Sequence, residues 1–168
     1  MRKASLLLVL LVFASASFAA DENAVVRWDT IVGVITTPLV NNPAAGIPSG
    51  LFPWRATGGK ALVNLATGHV AFKVEGLVLV GTNFAGTRGD LAEVKGTLVC
   101  NPGTSTQAVI DTAAVPLSLQ GNAEFVGNLG SVPTAPCANP LFLVRLPAAP
   151  GRWIATGAVR VIGDEDAD

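Results

Sequence analysis

Catalysis needs a nucleophile beside a base, a pair of carboxylates, or a cluster of metal ligands. Few residues here offer any of these. His69 is the single histidine. It follows a turn, and no G-x-S-x-G elbow exists to supply a serine partner. Its same-face neighbours Ala71 and Lys73 neither activate nor ligate, so His69 reads as polar surface. The carboxylates Asp29, Glu75, Asp90, Glu93, Asp111 and Glu124 are scattered along the chain. A glycosidase would need two of them across a groove, which only folding could arrange. One histidine and two cysteines are too few ligands for zinc. The acidic end, Asp164, Glu165, Asp166 and Asp168, offers oxygens to calcium but lacks the glycine-spaced pattern of a calcium loop. It reads as a disordered, solubilising tail over 164–168. No catalytic residue, metal or cofactor is assigned.

A binding reading has more to work with. Phe52, Trp54 and Arg55 lie together in LFPWR, at the end of a proline-rich stretch. Two aromatics beside an arginine can form a platform for a sugar or a partner protein. They can equally plug one end of a β domain, and the plug is favoured because exposing both rings is costly. Trp28 and Trp153 fall within alternating segments and read as core fillers.

These residues must be positioned by strands. From Arg55 to Val80, apolar residues recur every second position: Ala61, Val63 and Leu65, then Val70, Phe72 and Val74. That period puts one apolar face and one mixed face on a β-hairpin turning at Ala66-Thr67-Gly68. A lone hairpin is marginal in water, so a second β layer must cover it.

The same reading along the chain gives a first strand over Ala24–Thr36, with Val26, Trp28, Val32 and Val34 on one face. Pro38, Pro43, Pro48 and Pro53 exclude a central strand over 37–53, which reads as a long surface loop. Leu91–Cys100 alternates with Ala92, Val94, Gly96, Leu98 and Cys100 inward. Gln107–Thr112 is a short strand, and Val115–Leu119 with Ala123–Leu129 reads as a second hairpin around Gly121-Asn122. Leu141–Leu146 and Arg152–Ile162 follow, the last with Trp153, Ala155, Gly157, Val159 and Val161 on one side. The fold class is therefore all-β: an antiparallel β-sandwich of Ig-like or Greek-key type with about eight or nine strands, or alternatively a β-barrel.

Compartment follows from the first twenty residues. Arg2 and Lys3 precede the apolar run Leu6–Phe13, then small residues ending in Ala19-Ala20. That is the pattern of a secretory signal peptide over 1–20, leaving a domain over 21–163. The apolar run is too short to span a bilayer, and no membrane span is expected after its removal. Cys100 and Cys137 both lie in the exported part, where oxidising conditions favour a disulfide. A loop of that length is worth about 4 kcal/mol in the chain-entropy account. Without Arg2 and Lys3, nine basic residues face twelve acidic ones, a net of −3. Such a chain has no electrostatic footprint for nucleic acid.

A G-K-A-x-V-x-L, turn, G-x-V-x-F-x-V hairpin spans Gly59–Val74, and a later G-R-W-I-A-T-G strand spans Gly151–Gly157. With the disulfide between them, this order resembles small exported bacterial β-sandwich proteins without assigned activity. Over Ala56 to Val161 it distantly resembles the CHRD (chordin-type) β domain. The resemblance implies an exported β domain and carries over no functional residue, since the histidine motifs of that family have no counterpart here. The expectation is an exported, non-enzymatic binding or structural module for a protein or carbohydrate ligand. The alternative is a secreted hydrolase using dispersed carboxylates.

Overall fold

The computed structural model describes residues 25–134 and 136–162; the expected leader 1–20 and acidic tail 164–168 lie outside the described residues. No described residue is helical. The strands are β1 Val25–Gly33, β2 Trp54–Arg55, β3 Gly58–Asn64, β4 His69–Glu75 and β5 Val78–Leu79, then β6 Glu93–Cys100, β7 Ala108–Pro116, β8 Ala123–Asn128, β9 Leu141–Arg145 and β10 Trp153–Ile162.

The expected hairpin is β3–β4, with Ala61 opposite Phe72 and Val63 opposite Val70. Val63, Val70, Phe72 and Val74 are buried, and Leu65 is half-buried. Its turn is set by Asn64, whose side-chain oxygen accepts from the N–H groups of Ala66 and Thr67 at 3.0 Å. This local bond is why Asn favours turns.

Eight strands join one antiparallel sheet in the order β7-β6-β9-β10-β1-β3-β4-β8. Its edges β7 and β8 come back together. Gly130 N–H donates to the Asp111 carbonyl at 2.8 Å at one end of this seam, and Ser118 N–H donates to the Asn122 carbonyl at 2.9 Å at the other. The two faces of the expected sandwich are thus opposite halves of one nearly closed sheet. The second expected hairpin is corrected here. Its turn forms, but no ladder joins β7 to β8, because β8 pairs instead with β4, Phe125 opposite Phe72. The two segments expected over 107–119 merge into one strand, β7, which ends at Pro116 and leaves Leu117–Leu119 outside it.

The interior is aromatic at its centre. Phe142 lies 5.6 Å from Trp28 and 5.5 Å from Phe72, in the tilted arrangements that ring quadrupoles prefer. Gly157 passes under Trp28 so closely that a Cβ there would stand 2.6 Å from the indole. Two inward sets differ from expectation. Val32 is 41% exposed and Ile31 is buried in its place; Val159 and Val161 are 67% and 45% exposed. The cause is a paired irregularity. Val159 takes φ +53°, a left-handed conformation that breaks the alternation, at the register position facing Asp29. Both strands change phase together, so pairing continues from Ile31–Gly157 to Trp28–Arg160. Ala92 also points outward, since β6 begins only at Glu93.

The proline-rich stretch 37–53 is not the free surface loop expected. Prolines keep it out of the ladders, yet its backbone is tied to β10. Trp153 N–H donates to the Pro48 carbonyl at 2.9 Å, Gly50 N–H to the Trp153 carbonyl at 2.7 Å, and the Trp153 indole N–H to the Asn42 carbonyl at 3.0 Å. Ile47, Ser49 and Gly50 are buried beneath it. This strap covers the outer face of β10 and β9, and Leu143 and Trp153 are accordingly buried there.

Candidate functional site

Among the described residues, nothing covers the outer face of the four strands β1, β3, β4 and β8. Register sets three rows across it. One holds Lys60, Lys73 and Glu124, with Asp29 of β1 lining the trough beyond Lys60; the next Arg27, Leu62, Ala71 and Val126; the last has Val25 opposite Asn64 and His69 opposite Asn128. The middle row is low because Ala71 is short and Leu62 is half-buried. The first two rows line a trough of about 510 Å³. That volume falls within the ~300–1,000 Å³ of small-ligand sites.

Its electrostatics follow from the pairings. Lys73 Nζ lies 2.6 Å from a Glu75 carboxylate oxygen and opposite Glu124. The hydrogen bond and charge of Glu75 hold the Lys73 ammonium above its ordinary pKa against an opposing effect of desolvation, with a lesser contribution from the charge of Glu124. Lys60 stands directly opposite Lys73.

No acid–base pair for hydrolysis arises in this row. Asp29 and Glu124 lie on strands three spacings apart, roughly 14 Å at about 4.8 Å per spacing. Glycosidase carboxylates stand about 5–9.5 Å apart. Glu75 and Glu124 are closer, but they flank one ammonium, whereas acid–base chemistry needs two carboxyls in unlike surroundings. Among the described residues, no three His, Cys, Asp or Glu are grouped to hold a metal ion.

The residues singled out in LFPWR are separated by the fold. Trp54 is buried at 7% exposure, in β2, which pairs with β5 and caps the end of the barrel away from the disulfide. Its backbone is locked, since Trp54 N–H donates to the Val34 carbonyl at 2.9 Å and a Cβ on Gly33 would strike the Trp54 carbonyl oxygen. Phe52 is 39% exposed and Arg55 points to solvent. Phe52 is exposed, as are Ile35, Leu39 and Val40, and Leu39 N–H donates to the carbonyl of Leu51, the residue before Phe52. His69 is exposed at the start of β4, opposite Asn128.

Cys100 and Cys137 form a disulfide at the opposite end. Asn101 braces it: its side chain accepts from Ala138 N–H at 2.7 Å and donates to the Pro136 carbonyl at 3.0 Å. Asp111, expected as a dispersed acid, is occupied. One of its oxygens accepts from Lys95 at 2.6 Å; the other accepts from Thr97 at 2.6 Å and Arg145 at 3.1 Å. Burial pushes its carboxyl up, but these donors and charges together hold it below the usual carboxylate range. The trough itself escaped sequence reasoning. Its only signal was the polar face of each strand, and nothing local showed that those faces adjoin.

Compared with known proteins, the chain matches no family model, no curated protein and no solved structure.

Proposed function

We propose that this chain is an exported, non-enzymatic β domain that binds a ligand in the trough across β1, β3, β4 and β8. The observation that carries this reading is an open, charged trough whose end acids, Asp29 and Glu124, stand on strands three spacings apart. Such a site can hold a ligand by charge and hydrogen bonding but has no group placed to cleave one. Export is supported by the leader pattern over 1–20 and by a disulfide of the kind oxidising compartments retain. The LFPWR platform is not part of this reading, because Trp54 is turned inward.

The test uses the mature protein, fluorescently labelled, on intact cells of the producing organism, beside chromogenic glycoside and ester substrates. Saturable binding that Ala71→Trp abolishes, with no turnover, is the expected result. Turnover that persists through repurification supports the hydrolase alternative instead. Binding indifferent to Ala71→Trp removes the trough from the function.

A further inference from the structure

We propose that the trough takes an acidic glycan in which carboxylate-bearing sugars are separated by neutral ones. This rests on reading the chain as a non-catalytic binder and specifies the ligand of that same site.

Lys60 and Lys73 stand directly opposite each other on β3 and β4. Side chains directly opposite on antiparallel strands have Cβ atoms about 5 Å apart, and like charges so placed are unfavourable. Lys73 is offset by Glu75 and Glu124. Lys60 is exposed and makes no ion pair among the described residues. An anion seated between the two ammoniums would give Lys60 the counter-charge that Lys73 already has in Glu75. A carboxylate suits this position, since its two oxygens can each accept from one lysine.

The ends of the row determine what flanks that anion. Asp29 and Glu124 accept hydrogen bonds and repel further negative charge. Across the trough the charges therefore run acceptor (Asp29), cation, cation, acceptor (Glu124), over strands spaced at about 4.8 Å. The matching ligand is anionic at its centre and rich in hydroxyls on either side. A polymer charged on every unit would set its outer carboxylates against Asp29 and Glu124. Leu62 and Ala71 supply a shallow apolar floor for the C–H face of a sugar ring.

Affinity electrophoresis of the mature protein tests this, with three glycans in the gel. Gellan has glucuronates separated by neutral sugars, alginate is a uronate at every residue, and dextran is neutral. The expected result is retardation by gellan above alginate and dextran. Lys60→Gln and Lys73→Gln should each weaken gellan binding about tenfold, the loss of one charge-assisted hydrogen bond. Both lysines are exposed: Lys60→Gln relieves the repulsion and Lys73→Gln forfeits only a surface ion pair, so neither variant should lower the thermal midpoint appreciably, which separates lost binding from lost folding. Equal retardation by alginate, or gellan binding unaffected by the lysine variants, overturns the inference and leaves the binder reading standing. Retardation by no glycan also overturns the inference, while cleavage of gellan would overturn the binder reading itself.

Discussion

Asp111 and Arg145, on β7 and β9, meet at 3.1 Å across the intervening strand β6. Lys95, on β6 directly opposite Arg145, completes the cluster, and both cations are largely buried. One carboxylate therefore neutralises two cations on the outer face of three strands.

Removing that carboxylate leaves both cations uncompensated. Asp111→Asn should lower stability by about 2 kcal/mol at neutral pH, less than the ~3–5 kcal/mol of a fully buried pair because the Asp111 side chain keeps 35% exposure. The pH dependence has a definite sign. The folded pKa is depressed, so the stabilisation is present above the unfolded value near 3.9 and fades as pH falls through the folded one. Urea midpoints of wild type and variant should differ at pH 7 and converge in strong acid. A gap that persists below both pKa values would mean that lost packing, not charge, is responsible.

Trp54→Ala should destabilise by about 3–5 kcal/mol, the range for emptying a buried aromatic site. Thermal unfolding reads the loss, and the glycan assay reads binding on protein still folded. An unmoved midpoint with a lost ligand would restore the aromatic platform.

Gly157→Ala should cost about 1–3 kcal/mol, because the new methyl meets the Trp28 ring and the central aromatic packing leaves it little room to retreat. Near-ultraviolet circular dichroism should report the displaced indole. A variant as stable as wild type, with an unchanged spectrum, would show that the ring has space to move.

Replacing both Cys100 and Cys137 by alanine should lower stability by about 2–4 kcal/mol. The Asn101 hydrogen bonds hold the same loop and should keep the variant folded. Denaturant titration, with reduced wild type alongside, measures this. Unfolding of the variant at room temperature would assign the whole bracing role to sulfur.

What could be read from the chain was what neighbours in sequence decide. The β3–β4 hairpin was legible because Val63, Val70, Phe72 and Val74 keep strict alternation and Asn64 closes the turn locally. The inward position of Trp54 followed from the cost of exposing two rings, a cost that applies equally to Phe52, which is nonetheless exposed. The phase change at Asp29 and Val159 was hidden, since each strand alone alternates and only their pairing absorbs the irregularity. The seam was hidden for a related reason: Val115–Leu119 and Ala123–Leu129 look like a hairpin, yet β8 gains more by covering Phe72 with Phe125. The trough needed the strand order. Lys60, Lys73 and Glu124 become neighbours through β3, β4 and β8, a relation no local spacing contains.

The pairing of β1 with β10, Val26 opposite Ile162, has a mechanical consequence. Both strands leave the barrel at the same end, side by side. A load pulling these two ends apart would unzip their ladder one hydrogen bond at a time, starting at that end. A tether attached at either end alone would load no rung of that ladder, and the domain would hang with its capped end, and Trp54, turned away from the anchor.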